Sequence, residues 1–155
     1  MLRLSKKADY ALMAMKHLAV RGDRSTQTSS SAREIAELYD IPIELMAKVL
    51  QRLVRRGLLA SHQGTRGGYQ LARLPSQISV ADVIQAIDGP VTVTACSTED
   101  GQCEQFSKCN VRDPLWRVRE KILAALGDCT IAELAADVPQ PPAAKAAVLH
   151  RSASI

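Results

Sequence analysis

The stretch from Ser31 to Ala72 constrains the fold most, because three kinds of local pattern follow one another there without a gap. Ser31 stands three residues before Glu34, the spacing of a capping box, and Ile35, Ala36 and Leu38 then mark one face of a short helix. Asp40-Ile41-Pro42 breaks that pattern, since a proline disfavours helical backbone in the residue before it. A second helical pattern runs from about Ile43 to Arg56, with Leu45, Met46, Val49, Leu50 and Leu53 inward. After Gly57, two short strand-like runs flank Gly64-Thr65-Arg66-Gly67-Gly68 and predict a β-hairpin. Two short helices joined by a tight turn and followed by a hairpin make a winged helix-turn-helix. That arrangement can lay its second helix in the DNA major groove and its hairpin against the neighbouring backbone.

The flanks read as further helices. Residues 4–20 place Leu4, Tyr10, Ala11, Met13, Ala14, Leu18 and Ala19 at helical spacings, with Ser5 as N-cap. The polar, turn-rich residues 21–31 then form a connection. Residues 79–88 predict a helix with Val80, Val83, Ile84 and Ile87 on one face, ended by Gly89-Pro90. A cysteine-bearing loop fills about 91–112, and Asp113-Pro114 starts a helix carrying Leu115, Trp116, Val118, Ile122, Leu123 and Leu126. That helix is apolar enough to need a partner. The expected fold is therefore mainly α, a winged helix-turn-helix DNA-binding domain over residues 1–75, followed over 76–136 by the cysteine-bearing loop and a long helix whose apolar face suits a dimerisation helix. Residues 137–155, with Pro139, Pro141 and Pro142, show no core and are expected to be disordered.

Charge divides along the same line. Residues 1–75 hold 13 Lys/Arg against 6 Asp/Glu, a balance of +7, whereas residues 76–155 hold 7 against 10, a balance of −3. A basic half joined to an acidic half fits double-stranded DNA as partner of the first. Lys48, Arg52, Arg55, Arg56 and Arg66 are the candidates for neutralising phosphates. Glu44 and Lys48 near the start of the second helix of the motif, with His62 and Gln63 in the hairpin, are the candidates for reading bases. There are no paired catalytic carboxylates, no nucleophile with an adjacent base and no phosphate loop, so the pattern does not describe an enzyme. No apolar run is long enough to span a bilayer, and the opening Met1-Leu2-Arg3-Leu4-Ser5-Lys6-Lys7 lacks the apolar stretch of a secretory leader. A cytoplasmic protein is expected, and with it reduced cysteines.

Cys96, Cys103 and Cys109 lie six and five residues apart among Ser, Thr, Glu, Asp, Gln and Lys, spacings wider than the close pairs of common zinc sites. Three thiolates in a polar loop suit a soft metal centre, with an iron-sulfur cluster leading and zinc or thiol redox chemistry as the alternative. Cys129 stands apart and reads as packing at a helix junction. His17, His62 and His150 are too scattered to suggest a ligand pair.

Taken together, Leu4-Ser5-Lys6, Asp9-Tyr10-Ala11-Leu12, the hairpin Gly64-Thr65-Arg66-Gly67-Gly68-Tyr69-Gln70-Leu71-Ala72, the three-cysteine loop and Leu115-Trp116 resemble the iron-sulfur winged-helix regulators of the IscR and NsrR type. The resemblance covers roughly residues 1–136, and its start together with Cys109 to Trp116 looks closest to the branch that regulates iron-sulfur assembly genes. It implies a homodimer in which the helix of about 114–127 crosses its counterpart. It further implies a [2Fe-2S] or [4Fe-4S] cluster on Cys96, Cys103 and Cys109, whose occupancy changes operator affinity, with repression as the expected outcome. The IscR type places a histidine three residues past its last cysteine, where this chain has Arg112, which is no ligand. The NsrR type supplies a carboxylate from the first helix of the partner, and Asp9 holds the matching position, with Asp113 and Cys129 as alternatives. The base-reading acidic residue and arginine of the IscR type correspond to Ala47 and Gln63 here, so the operator sequence does not carry over.

Overall fold

Reciprocal side-chain to backbone bonds start two of the helices where the sequence places them, as seen in a computed structural model that describes residues 3–22, 29–65, 67–94 and 103–136. The elements are α1 (Lys6–Gly22), α2 (Ala32–Leu38), α3 (Ile43–Arg55), β1 (Leu59–His62), β2 (Gly68–Leu71), a single 3-10 turn (Pro75–Gln77), α4 (Val80–Asp88), α5 (Arg112–Asp128) and α6 (Ile131–Ala136). Ser31 and Glu34 close a full capping box on α2, and Ser79 and Asp82 close another on α4. These satisfy helix N–H groups that would otherwise lack partners. Among the described residues no helix is long and apolar enough to cross a membrane.

One hydrophobic core runs through the described residues, and it does not stop at residue 75. Ala11, Met15 and Leu18 of α1, Ile35 of α2, and Met46, Leu50 and Leu53 of α3 share it with Ile78, Val83 and Ile87 around α4 and with Ile131 of α6. The buried side of α1 is Ala8, Ala11, Ala14, Met15, Leu18 and Ala19, a face of mostly small side chains against α4 and α6. It shares Ala11, Ala14, Leu18 and Ala19 with the expected stripe and adds Ala8 and Met15, while Leu4 is exposed and Tyr10 and Met13 only edge the core. Alanine contributes little to a sequence pattern, yet it lets two helices approach on that side. On α3, Met46, Val49, Leu50 and Leu53 are buried as expected, with Leu45 half-buried.

The hairpin pairs antiparallel from Leu59 opposite Leu71 to His62 opposite Gly68. It is also tied to the segment leading into α2: the Ser30 amide donates to the Tyr69 carbonyl (3.1 Å) and the Tyr69 amide donates to the Ser30 carbonyl (2.8 Å). Gly68 makes this approach possible, since a Cβ there would lie 2.7 Å from the Ser30 carbonyl oxygen.

Helix α6 is the element the sequence pattern did not reveal. Its cap is Thr130, whose hydroxyl accepts from the Glu133 amide (3.2 Å) while the Glu133 carboxylate accepts from the Thr130 amide (3.1 Å). Two backbone bonds, Val80 to Cys129 (2.8 Å) and Ile131 to Ile78 (2.9 Å), fasten α6 to the segment leading into α4. The long helix α5 begins at Arg112, one residue before the expected start, and buries no residue fully. It packs against α4 and leaves Val111, Trp116 and Val118 about half exposed. Cys96, Arg66 and residues 137–155 lie outside the described residues.

Candidate nucleic-acid interface and cysteine loop

Helix α3 presents its polar residues to solvent in two groups. Glu44, Lys48, Arg52, Arg55 and Arg56 are all exposed. Gln51 and Arg55 face the wing, where they line an open cleft of about 600 Å³ with Ser61, His62, Gln63 and Gly64. Lys48 is three residues before Gln51, so Glu44, Lys48, Gln51 and Arg55 follow one face of the helix. Arg52 and Arg56 turn the other way. The Arg52 Nε donates to the Ala86 carbonyl (3.0 Å), and Arg56 lines a smaller hollow with Arg73, Asp82 and Gln85. The expected basic set is thus divided: Arg55 faces the wing, while Arg52 spends one donor holding α3 to α4. Gln51 and Ser61 line this cleft and were not among the residues expected from the sequence, although Gln51 lies at helical spacing from Lys48 and Arg55.

A polar junction lies behind this surface. His17 on α1 approaches the Tyr39 hydroxyl through Nδ1 (3.3 Å) and the Ser30 hydroxyl through Nε2 (3.4 Å), and Arg21 donates to the same Ser30 oxygen (3.0 Å). With Ser30 Oγ accepting from Arg21, its own proton is available to Nε2, and a neutral ring then donates from Nδ1 to Tyr39. Burial, helped by the Arg21 charge and opposed by Glu34, holds the His17 pKa below its ordinary value. Ser30 is fully buried, so the junction links α1 and α2 to the strand pairing that seats the wing.

In the cysteine loop, Cys103 and Cys109 are half-buried and bracket an exposed turn, residues 104–108. The Phe106 amide donates to the Cys103 carbonyl and the Lys108 amide to the Gln105 carbonyl, each at 3.0 Å. Arg112 reaches back over this turn: its guanidinium carbon sits 4.4 Å from the Phe106 ring centroid, Nη1 donates to the Phe106 carbonyl (3.3 Å) and Nε to Asp113 Oδ1 (2.9 Å). Among the described residues no three His, Cys, Asp or Glu side chains gather into a metal site. The structure therefore contributes two of the three expected thiols, and Cys96 lies outside the described residues. Asp9 is exposed on the first turns of α1 and joins neither of the ion pairs found among the described residues, which are Arg112–Asp113 and Arg119–Glu120. Cys129 lies at the α5–α6 junction with its carbonyl in the α4 contact.

A basic helix-turn-helix with a wing seated beside its second helix defines a DNA-binding transcriptional regulator. The comparisons agree with that class. Residues 4–137 match the family model described as "Rrf2: Iron-dependent Transcriptional regulator", and the chain belongs to the Rrf2 family. It is 34% identical over 134 residues to the HTH-type transcriptional regulator IscR of Serratia proteamaculans, covering 86% of this chain and 79% of the relative. Among solved structures it is similar to CymR, the global cysteine regulator of B. subtilis, with a TM-score of 0.70, 28% identity, and coverage of 87% of this chain and 97% of that one. It is also similar to T. potens IscR, with a TM-score of 0.65, 27% identity, and coverage of 86% and 85%. These relatives are regulators, not enzymes.

Proposed function

We propose that the protein binds its operator as a homodimer and that an iron-sulfur cluster on Cys96, Cys103 and Cys109 controls its affinity, with repression of iron-sulfur assembly genes as the physiological outcome. The observation that carries this reading is the pair of half-buried thiols, Cys103 and Cys109, held at either end of one hydrogen-bonded turn. Their chemistry suits a soft metal, and the likeness to regulators named IscR supports a cluster. A cluster held by these thiols and one carboxylate would supply an iron at which oxidants or small ligands could replace the weak oxygen ligand.

The chain's own residues provide the rest. The turn leads through residues 109–111 into α5, α5 packs on α4, and α4 is bonded to α3 through Ala86 and Arg52. A change of order at the cysteines thus has a packed route to the helix that reads DNA. The half-exposed Trp116 and Val118, on different sides of α5, leave apolar surface that a second copy of the chain can cover. Asp9, exposed on α1, is the fourth ligand offered across that dimer.

Anaerobic purification tests the proposal. The wild type should be brown, Cys103→Ala and Cys109→Ala colourless yet folded by circular dichroism, and Cys129→Ala still coloured. A colourless wild type holding zinc, or holding no metal and responding to thiol oxidants, would favour the alternative of a zinc- or thiol-based sensor. Heterodimers pairing an Asp9→Ala subunit with a Cys103→Ala subunit should retain one normal cluster if the carboxylate crosses the interface, and none if it does not. On DNA, Arg66→Ala should flatten the salt dependence of binding, because one phosphate contact per subunit is removed.

A further inference from the structure

We propose that Arg112 is the positioning residue of the cysteine loop, a clamp that fixes the turn between Cys103 and Cys109 against the first turn of α5. The inference rests on the reading of those two thiols as a metal site and adds how the site is held in shape. All five residues of the turn, 104–108, are exposed, so burial contributes little to their order. The turn's own hydrogen bonds, Phe106 to Cys103 and Lys108 to Gln105, are open to competition from water.

Arg112 supplies what burial does not. Its guanidinium stacks on the Phe106 ring while donating to the Phe106 carbonyl, so ring and backbone of one residue are gripped together. Asp113 accepts from Nε of the same guanidinium and holds its plane. Arg112 is the first residue of α5 and lies three residues past Cys109, so the grip ties the middle of the turn to the end of the rigid helix. The grip thereby narrows the range of separations open to the two thiols in the metal-free chain. A lysine at this position keeps the charge but lacks the planar fork that stacks and donates at once.

The test uses the full-length protein, first without metal. Hydrogen exchange of peptides covering 103–111, and alkylation of Cys103 and Cys109 by iodoacetamide, should both be faster in Arg112→Ala by about five- to tenfold, the scale of a lost stacking contact and one hydrogen bond on an exposed surface. Cys129 alkylation and the thermal midpoint should stay at wild-type values. Arg112→Lys should not restore protection, and Phe106→Leu should shift exchange the same way by less. After anaerobic reconstitution with ferrous iron and sulfide, Arg112→Ala should show an altered visible circular dichroism spectrum and faster bleaching. Unchanged exchange and alkylation would overturn the clamp, and so would full recovery in Arg112→Lys. Faster exchange with an unaltered cluster spectrum would overturn its positioning role. If the wild type takes up no chromophore, the cluster reading fails by itself, and the metal-free measurements still decide whether Arg112 orders the turn.

Discussion

Gly68→Ala should unseat the wing. A Cβ built on Gly68 would sit 2.7 Å from the Ser30 carbonyl oxygen and 2.8 Å from its carbon, where ordinary contact begins near 3.4 Å. Both atoms belong to the backbone of a fully buried residue, so no flexible side chain can yield. Opening the gap by roughly 0.7 Å would stretch the two Ser30–Tyr69 bonds, now 2.8 and 3.1 Å, past the usual limit of about 3.2 Å. Each lost bond costs about 1 kcal/mol, and more where a buried group is left without a partner, so the total is about 2–4 kcal/mol. Urea denaturation should show that loss as a lower midpoint at unchanged slope. Hydrogen exchange should show lost protection at the Tyr69 amide, and operator affinity should fall because His62 and Gln63 move with the wing. A stability within about 0.5 kcal/mol of wild type, with Tyr69 still protected, would refute the argument that Ser30 and Gly68 are in obligatory contact.

Ile131→Ala should destabilise by about 2–5 kcal/mol, because a fully buried side chain of the shared core is removed, and a loss below about 1 kcal/mol in thermal or urea unfolding would place α6 outside that core. Ser31→Ala should cost about 1 kcal/mol through loss of the α2 capping box, read as a shift in the urea midpoint, whereas Ser31→Asp should largely retain it. The pKa of His17 is lowered, chiefly by burial, so the folded state resists protonation more than the unfolded chain does. Stability should therefore be complete above the ordinary value of 6.5 and fall as the pH drops from there toward the lower native pKa. Urea midpoints measured between about pH 5 and 8 should show this slope in the wild type and a shallower one in His17→Gln, and equal slopes would remove His17 from the account.

Most of the winged helix could be read from the sequence because its signals are local. Ser31 with Glu34 and the interruption at Asp40-Ile41-Pro42 act over three or four residues, and the structure closes that box and ends α2 at Leu38. The glycine-rich hairpin is local in the same sense, and so is the period that turns Met46, Leu50 and Leu53 inward. Thr130 and Glu133 carried an equally local signal for α6, but with only six residues the helix offered too short an apolar period to recognise.

Tertiary structure alone decided which distant partners these elements meet. The face of α1 is set by α4 and α6 closing on its alanines, and Ser5 at its start is bonded to Asp88, eighty-three residues away. Arg52 reads in the sequence as one more phosphate contact, yet its Nε is committed to Ala86, whereas Gln51 joins the wing cleft. The same holds for His17 with Ser30 and Tyr39, and for the Ser30 pairing that makes Gly68 indispensable. Capping and periodicity are energies of neighbours along the chain and are therefore written in its order. Which face is buried, and which donor finds which carbonyl, depends on packing between elements whose separation in sequence says nothing about their distance in space.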